Sequence, residues 1–211
     1  MIQNLLKEIK LFKSWAYSID SSNLFGEWEM YYDNWDNIYG AFRDAITNCS
    51  CEGLDDKVTE DLLYIIARDN EDECLIDQLV ESKTWFMFLC EKSLTSNYND
   101  AKWQFASKLS NFSEDPRSKK FIIMFINDNN EYVSRRALLQ LPFVYPEKVE
   151  YYSKIYWEKN TETQEYYRMA ILDILNETKS NYLDFYIKKA IQDERKCLVK
   201  HAKDIQKYIF K

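Results

Sequence analysis

The sequence predicts an all-α fold, an α-solenoid of antiparallel helix pairs, from two observations. The first is the scarcity of turn-forming residues, because 211 residues contain only 3 Gly and 3 Pro, whereas sheets and barrels need many turns. The second is an alanine that recurs at intervals of 31, 33 and 32 residues, at Ala106, Ala137, Ala170 and Ala202. A small side chain at a fixed place in a helix lets neighbouring helices approach closely. Repetition at this period is typical of solenoids, in which each repeat packs on the next.

The first hundred residues contain five predicted helices. In the first, apolar residues from Ile2 to Ile19 fall on one face at helical spacing, and the polar stretch from Ser21 to Gly26 breaks it. A second helix is predicted over 29–48 and a third over 55–68, with Asp55 or Asp56 favouring the start of the third. Two shorter helices follow, near 71–81 and 84–94.

From residue 100 the pattern becomes more regular. Pro116 suits the first turn of a helix, while Pro142 and Pro146 are predicted to end one helix and to help start the next. Residues 1–99 fit the repeat period less well. We therefore predict one domain, 1–211, in which irregular acidic helices at 1–99 precede repeats at 100–211. The predicted helices of this second part lie near 100–111, 115–127, 130–141, 146–158, 163–177, 180–192 and 194–209.

The segment from Asp128 to Leu141 resembles a HEAT repeat. An Asp in the turn, followed by Val133, Arg136, Ala137 and Leu141 on the second helix, is the pattern of that family. Weaker copies lie at 166–172 and 198–202, so the resemblance covers about 100–209. It implies a right-handed, HEAT-like solenoid whose second helices line the concave face. Basic residues would then lie near that face, namely Lys102, Arg135, Arg136, Arg168 and Lys200.

The same resemblance points to two classes of function. Some HEAT-like proteins are alkylpurine DNA glycosylases. Others are immunity proteins that neutralise toxins delivered between bacteria, as in contact-dependent growth inhibition. This chain is similar to the second group because it is small, acidic and rich in tyrosine.

The negative charge of the chain is concentrated in residues 27–81. This segment contains sixteen acidic and three basic residues, a balance of −13, whereas the whole chain carries −7. Such a block is either a solvated acidic face or a docking surface for a basic partner. The segment also contains aromatic residues of the kind that anchor interfaces, although core packing is the other explanation for them. The predicted partner-binding residues are Trp28, Tyr31, Tyr32, Asp33, Trp35, Asp36, Asp55, Asp56, Glu60, Asp61, Glu71, Asp72 and Glu73.

The sequence offers little support for catalysis or for a metal site. There is one histidine, His201, on a lysine-rich helix, and no phosphate-binding or nucleophile motif. Cys49 and Cys51 form a C-x-C pair without a second pair at zinc spacing, and the acidic clusters lack the spacing of a calcium loop. We therefore expect no enzymatic activity, no metal and no cofactor. The five cysteines have no framework spacing, and reduced thiols are expected.

The predicted function is a cytoplasmic immunity protein that binds and neutralises a basic toxin domain such as a nuclease. Apolar runs are at most six residues long, so no membrane association is expected. A sequence pI of about 5.0 argues against a nucleic-acid partner, because such proteins bind phosphates with many Lys and Arg residues. We expect a monomer in the absence of the partner. The alternatives are a HEAT-like alkylpurine DNA glycosylase or another nucleic-acid-binding repair protein, and a generic protein-interaction scaffold.

Overall fold

The computed structural model describes residues 1–19, 28–159 and 162–209, with Tyr208 and Ile209 described by their backbone alone. Regular structure throughout these ranges is helical, with no strand, so the predicted all-α class is confirmed. The predicted break from Ser21 to Gly26 lies outside the described residues. The helices divide between two compact units, Met1–Lys108 and Leu109–Lys211. Organisation as a single domain stays a prediction.

Unit 1 is built around its third helix, which packs against α1, α5 and α6. α2 packs against α1 and α4, so every helix of this unit contributes to its interior. The side chains of Leu5, Phe12, Phe42, Leu62 and Phe86 have no exposed surface or almost none. The helices of unit 1 are α1 (Ile2–Ser18), α2 (Trp35–Asn48), α3 (Asp56–Arg68), α4 (Cys74–Val80), α5 (Lys83–Ser93) and α6 (Asn99–Lys108).

The predicted second helix, 29–48, is wrong at its beginning. Trp28–Tyr31 forms a short 3-10 helix, and α2 begins only at Trp35 after a turn. Asp33 and Asn34 occupy that turn, and both residue types favour turns over helix interiors because their side chains compete for backbone hydrogen bonds. The start of α3 agrees with the prediction, because Asp55 is its N-cap and accepts a 2.7 Å hydrogen bond from the Val58 N–H.

Unit 2 consists of helix pairs that follow one another along the chain. α7 packs against α8, α9 against α10, and α11 against α12. Short 3-10 segments, Leu109–Phe112 and Pro146–Lys148, precede the first and second of these pairs. The helices are α7 (Pro116–Ile126), α8 (Glu131–Val144), α9 (Val149–Trp157), α10 (Gln164–Glu177), α11 (Leu183–Ile191) and α12 (Lys196–Ile209).

The recurring alanines are all buried, as close packing requires. Ala137, Ala170 and Ala202 lie on α8, α10 and α12, and at most 3% of any of these residues is exposed. α10 packs against both α8 and α12, so the alanine-bearing helices of unit 2 are successive neighbours. Ala106 is buried on α6 in unit 1. The small side chains therefore lie where neighbouring helices approach one another.

The structure agrees with the prediction at two of the three prolines and disagrees at Pro142. Pro116 occupies the first turn of α7, and the preceding Asp115 accepts a hydrogen bond from the Arg117 N–H, as expected for a cap. Pro142 does not end its helix as predicted, because α8 continues to Val144. The Leu141 carbonyl still accepts a 2.8 Å hydrogen bond from the Tyr145 N–H, so the last turn closes around the proline. Pro146 begins the 3-10 segment that leads into α9.

Candidate functional site

Three of the aromatic residues predicted to bind a partner, Trp28, Tyr32 and Trp35, converge on one ring of α1. The ring of Phe12 lies 6.4 Å from that of Trp28, 5.0 Å from Tyr32 and 5.1 Å from Trp35, measured between centroids. Trp15, one turn further along α1, stacks on Trp28 at 5.7 Å. Rings at these separations attract one another through dispersion and their quadrupoles, in addition to the area that they bury. These side chains therefore form an aromatic part of the core of unit 1.

A buried carboxylate holds the Trp28–Tyr31 segment against α3. Glu29 is almost fully buried, and its carboxylate accepts a 2.8 Å charged hydrogen bond from Arg68 at the end of α3. The Trp35 indole N–H donates to the Glu29 carbonyl oxygen at 2.9 Å, and the Trp35 ring stacks on Tyr39 one turn later. A buried charge is tolerated only when it is paired. The Arg68 pair thus fixes the segment that presents Met30 and Tyr31 outward.

A second buried carboxylate joins the end of α3 to α2 and α4. Asp69 accepts a 2.8 Å hydrogen bond from the Tyr39 hydroxyl and a 2.6 Å hydrogen bond from the Leu75 N–H. Burial raises the pKa of Asp69 to about 6, even though these two hydrogen bonds favour the charged form. Burial raises the pKa of Tyr39 as well, and the neighbouring Asp69 adds to the effect.

Several acidic residues of unit 1 are neutralised by lysines within the same unit. Lys13 lies 2.5 Å from the Asp61 carboxylate, and Lys92 lies 3.4 Å from that of Asp56. Lys108 lies 3.3 Å from Glu73 and 2.6 Å from Asp77. Glu60 faces the Tyr98 hydroxyl, and burial followed by this negative charge raises the pKa of Tyr98 to about 12. Part of the acidic segment therefore interacts with its own unit.

Other acidic side chains of the segment face solvent with no lysine or arginine at ion-pair distance among the described residues. They lie just before and within α2, in the loop after α2, in the turn that precedes α4, and directly after α4. These carboxylates keep their hydration and, in the described part of the chain, have no basic side chain at ion-pair distance. Their negative charge therefore dominates the local electrostatic field that an approaching partner meets. These residues are Asp33, Asp36, Asp44, Glu52, Asp72 and Glu81.

One part of this surface combines exposed acids with exposed apolar side chains. Met30 and Trp35 line the same shallow depression as residues 69–72 of the turn before α4. Tyr31 is 74% exposed and Met30 is 56% exposed, so two adjacent large side chains lie in solvent beside these carboxylates. We define the acidic turn surface as six exposed residues, four from the 3-10 helix through the first turn of α2 and two in the turn before α4. They are Met30, Tyr31, Asp33, Asp36, Glu71 and Asp72.

The structure separates the predicted partner-binding residues by exposure. Tyr32 is buried, and Trp28, Trp35, Asp61 and Glu73 are half-buried. Their role in binding stays a prediction, although each has packing or ion-pair contacts within unit 1. The remaining eight are exposed, namely Tyr31, Asp33, Asp36, Asp55, Asp56, Glu60, Glu71 and Asp72.

Sequence reasoning missed Met30 and the two residues that hold the acidic turn surface in place, Arg68 and Asp69. Helical spacing groups Trp28, Tyr32 and Trp35 on one face but gives no reason to single out Met30. The contacts of Arg68 with Glu29 and of Asp69 with Tyr39 span 39 and 30 residues. A pattern confined to one helix contains no signal for contacts at that separation.

The single histidine of the chain has a carboxylate partner. The ring of His201 lies 2.7 Å from the Asp173 carboxylate, and that hydrogen bond raises the pKa of His201. All five cysteines are free. In residues 1–19, 28–159 and 162–209, no three His, Cys, Asp or Glu side chains are grouped as a metal ion would need. In the same ranges, no helix has both the length and the apolar character needed to cross a bilayer.

Comparison of the chain with protein-family models, with curated proteins and with solved structures gives no match. A proposal about function therefore depends on the surfaces of the chain itself.

Proposed function

We propose that this chain is a non-catalytic binding protein that neutralises a basic protein, specifically a toxin domain such as a nuclease. The observation that carries the proposal is the separation of charge between the two units. Residues 1–108 contain ten Lys and Arg against twenty Asp and Glu, a balance of −10, whereas residues 109–211 contain eighteen against fifteen, a balance of +3. Such a field accelerates encounter with a basic partner and disfavours acidic ones.

The acidic turn surface is the part of unit 1 that we assign to binding. Its carboxylates supply the attraction, while Tyr31 and Met30 offer apolar area that a partner can remove from water. Glu29, Arg68 and Asp69 hold both turns in place by hydrogen bonds. A surface that is ordered before binding loses less entropy on association. A basic enzyme whose substrate-binding face docked here would be shielded from its substrate.

We further propose that the helices form a HEAT-like, right-handed solenoid. Support comes from unit 2, where successive helix pairs pack along the chain and the alanine-bearing helices α8, α10 and α12 are neighbours. Solenoids are mostly used as binding scaffolds. Five free cysteines favour a reducing compartment, and we place the protein in the cytoplasm.

Co-expression tests the proposal. The candidate partner is a basic domain identified by pull-down or by inspection of the neighbouring gene, and it is produced from an inducible promoter in a bacterial host. We expect growth arrest by that domain alone and growth restored by the wild-type chain. We also expect a variant with lysine at the four acids of the acidic turn surface, Asp33, Asp36, Glu71 and Asp72, to restore growth poorly despite equal abundance. Equal protection by this variant would contradict a role for the acidic turn surface.

A further inference from the structure

A groove of about 440 Å³ runs between α9 and α11 in unit 2. Its floor is formed by Leu175 and Tyr186, of which 0% and 8% are exposed. Its walls are three aromatic side chains that remain about half exposed, namely Tyr151, Tyr182 and Phe185 at 58%, 53% and 52%. Single exposed aromatic residues are normal on a protein surface. Three of them around one concave apolar floor are typical of a binding groove.

Two of the three walls of this groove, Tyr151 and Phe185, are held in place by ring contacts. The Phe185 ring lies edge-on to Tyr186 at 5.2 Å, and Tyr186 in turn lies 4.7 Å from Trp157. On the other side, Tyr151 lies edge-on to the buried Tyr152 at 5.1 Å. Because the rings of Phe185 and Tyr151 each rest on a buried ring, these two side chains have little freedom left to lose on binding.

The charges at the rim indicate what kind of segment the groove accepts. Glu158 is paired with Lys189 at 3.3 Å, and the Glu150 carboxylate accepts a hydrogen bond from the Ser180 hydroxyl. By contrast, Lys154 in the lining has no ion pair among the described residues. Lys148, whose ammonium lies 5.5 Å from the Tyr151 ring, has none there either. The carboxylates are thus engaged while two ammonium groups are available, which favours an occupant with a carboxylate.

The length of the groove indicates the size of its occupant. The lining residues on the α9 side run from Glu150 to Glu158, eight residues apart, or about 12 Å at helical rise. Side chains at i, i+4 and i+7 of a helix span about 10 Å. Amphipathic helices that dock into a groove between two helices use this spacing.

We propose that the aromatic groove, lined by Tyr151, Lys154, Leu175, Tyr182, Phe185 and Tyr186, binds an amphipathic helical segment of a partner protein. The segment presents two or three large apolar side chains at i, i+3 or i+4, and i+7, with an Asp or Glu beside them that pairs with Lys154 or Lys148. This site lies in unit 2 and is independent of the acidic turn surface in unit 1.

A displayed library of random 12-residue peptides tests the proposal. The full-length chain serves as bait, and peptides that also bind Phe185→Glu are removed by counter-selection. Phe143→Glu is the matched control, because Phe143 is 51% exposed on α8 outside the groove. Tyr182→Glu is a second groove variant in case Phe185→Glu disturbs folding, which circular dichroism and thermal melting reveal.

We expect enriched peptides to combine helically spaced Leu, Phe or Trp with Asp or Glu. Measured by fluorescence anisotropy, the Kd of such a peptide should rise at least about tenfold with Phe185→Glu or Tyr182→Glu. It should stay within about twofold of the wild-type value with Phe143→Glu, and Lys154→Glu should raise it and weaken its salt dependence. No enrichment, basic instead of acidic consensus peptides, or equal loss with Phe143→Glu would overturn the proposal. So would sedimentation showing a wild-type dimer that Phe185→Glu dissociates, because the occupant would then be a second copy of the chain.

Discussion

The Tyr39 hydroxyl in α2 donates a 2.8 Å hydrogen bond to the carboxylate of Asp69, the residue that follows α3. The other oxygen of that carboxylate accepts from the Leu75 N–H in the first turn of α4. One side chain therefore connects three helices of unit 1 next to the acidic turn surface. Since Asp69 is only 3% exposed, its ionisation is linked to folding.

Asp69→Asn should change how stability depends on pH. The folded-state pKa of about 6 lies above the ordinary value of 3.8. Between these values the folded chain retains a proton that the unfolded chain has lost, so Asp69 makes the free energy of unfolding fall as pH rises from 4 to 6. A shift of about two units corresponds to about 3 kcal/mol. Asparagine stays neutral and can still accept from the Leu75 N–H and donate to the Tyr39 oxygen.

Urea unfolding of both proteins at intervals from pH 4 to pH 7 measures this effect. We expect the stability advantage of Asp69→Asn to grow across the window and to level off above pH 6. Asp33→Asn, at an exposed position, should show no such growth. Parallel curves for the wild type and Asp69→Asn would contradict the assignment of a proton to Asp69.

Trp35 and Tyr31 should respond differently to truncation. Trp35 packs against Phe12, Tyr32 and Tyr39, so Trp35→Ala should lower the free energy of unfolding by roughly 2 kcal/mol or more. Tyr31 is mostly exposed, and Tyr31→Ala should change it by no more than about 0.5 kcal/mol. Chemical denaturation of the two variants and the wild type measures both changes in the free energy of unfolding. A Trp35→Ala protein as stable as the wild type would show that the aromatic cluster contributes little to the core.

Helix packing at the recurring alanines can be tested by overpacking one of them. Ala137 is fully buried on α8, and Ala137→Leu should cost about 1–3 kcal/mol because the added methyl groups have no free volume to occupy. Gly40→Ala is a useful comparison, since Gly40 is exposed within α2 and an added Cβ meets no atom within 4 Å. That substitution should stabilise the chain by about 0.5–1 kcal/mol. Thermal melts in which Ala137→Leu is neutral would argue against close approach at this position.

Local signals in the sequence predict the helices well. The N-cap at Asp55 and the proline in the first turn at Pro116 act within one or two turns, and α3 and α7 begin where these signals predict. The buried alanines follow from the same reasoning, because their spacing reflects the packing of neighbouring helices. Pro142 is one exception, since the last turn of α8 tolerates it, and the start of α2 at Trp35 instead of residue 29 is another.

The surfaces could not be predicted in the same way. Trp28, Tyr32 and Trp35 share a face that meets Phe12 of α1, and only the tertiary structure shows that this face points inward. Likewise, Tyr151, Tyr182 and Phe185 are brought around one groove by the packing of two helices some thirty residues apart. Nothing in the spacing of an aromatic residue distinguishes a core position from an exposed one when both faces of a helix contain aromatics.

Purified protein should neither excise alkylated bases nor bind duplex DNA tightly. Unit 2 has a balance of only +3, and several of its arginines are already paired, for example Arg135 with Glu131 and Arg168 with Asp193. Affinity for DNA depends mainly on cations that are free to meet phosphates. Gel-shift titration at physiological salt and a base-release assay on alkylated DNA test this expectation. Base release that co-purifies with the protein and disappears on mutation of this chain would favour the DNA glycosylase alternative.

The central claim is that the acidic turn surface attracts a basic partner, and association kinetics test it most directly. The four acids of this surface, Asp33, Asp36, Glu71 and Asp72, are replaced together by lysine. Their matched control replaces four exposed glutamates of unit 2 by lysine, Glu114, Glu162, Glu177 and Glu194, which changes the net charge equally. Both variants must first show wild-type helicity and thermal stability.

Association with the basic partner domain is then followed by surface plasmon resonance at several salt concentrations. We predict that the unit 1 variant associates at least about tenfold more slowly at low salt, with a weaker dependence on ionic strength, because steering depends on the local field. The unit 2 variant should be slowed far less. Equal association rates for the two folded variants would contradict the claim and would leave the acidic segment as a solvated face.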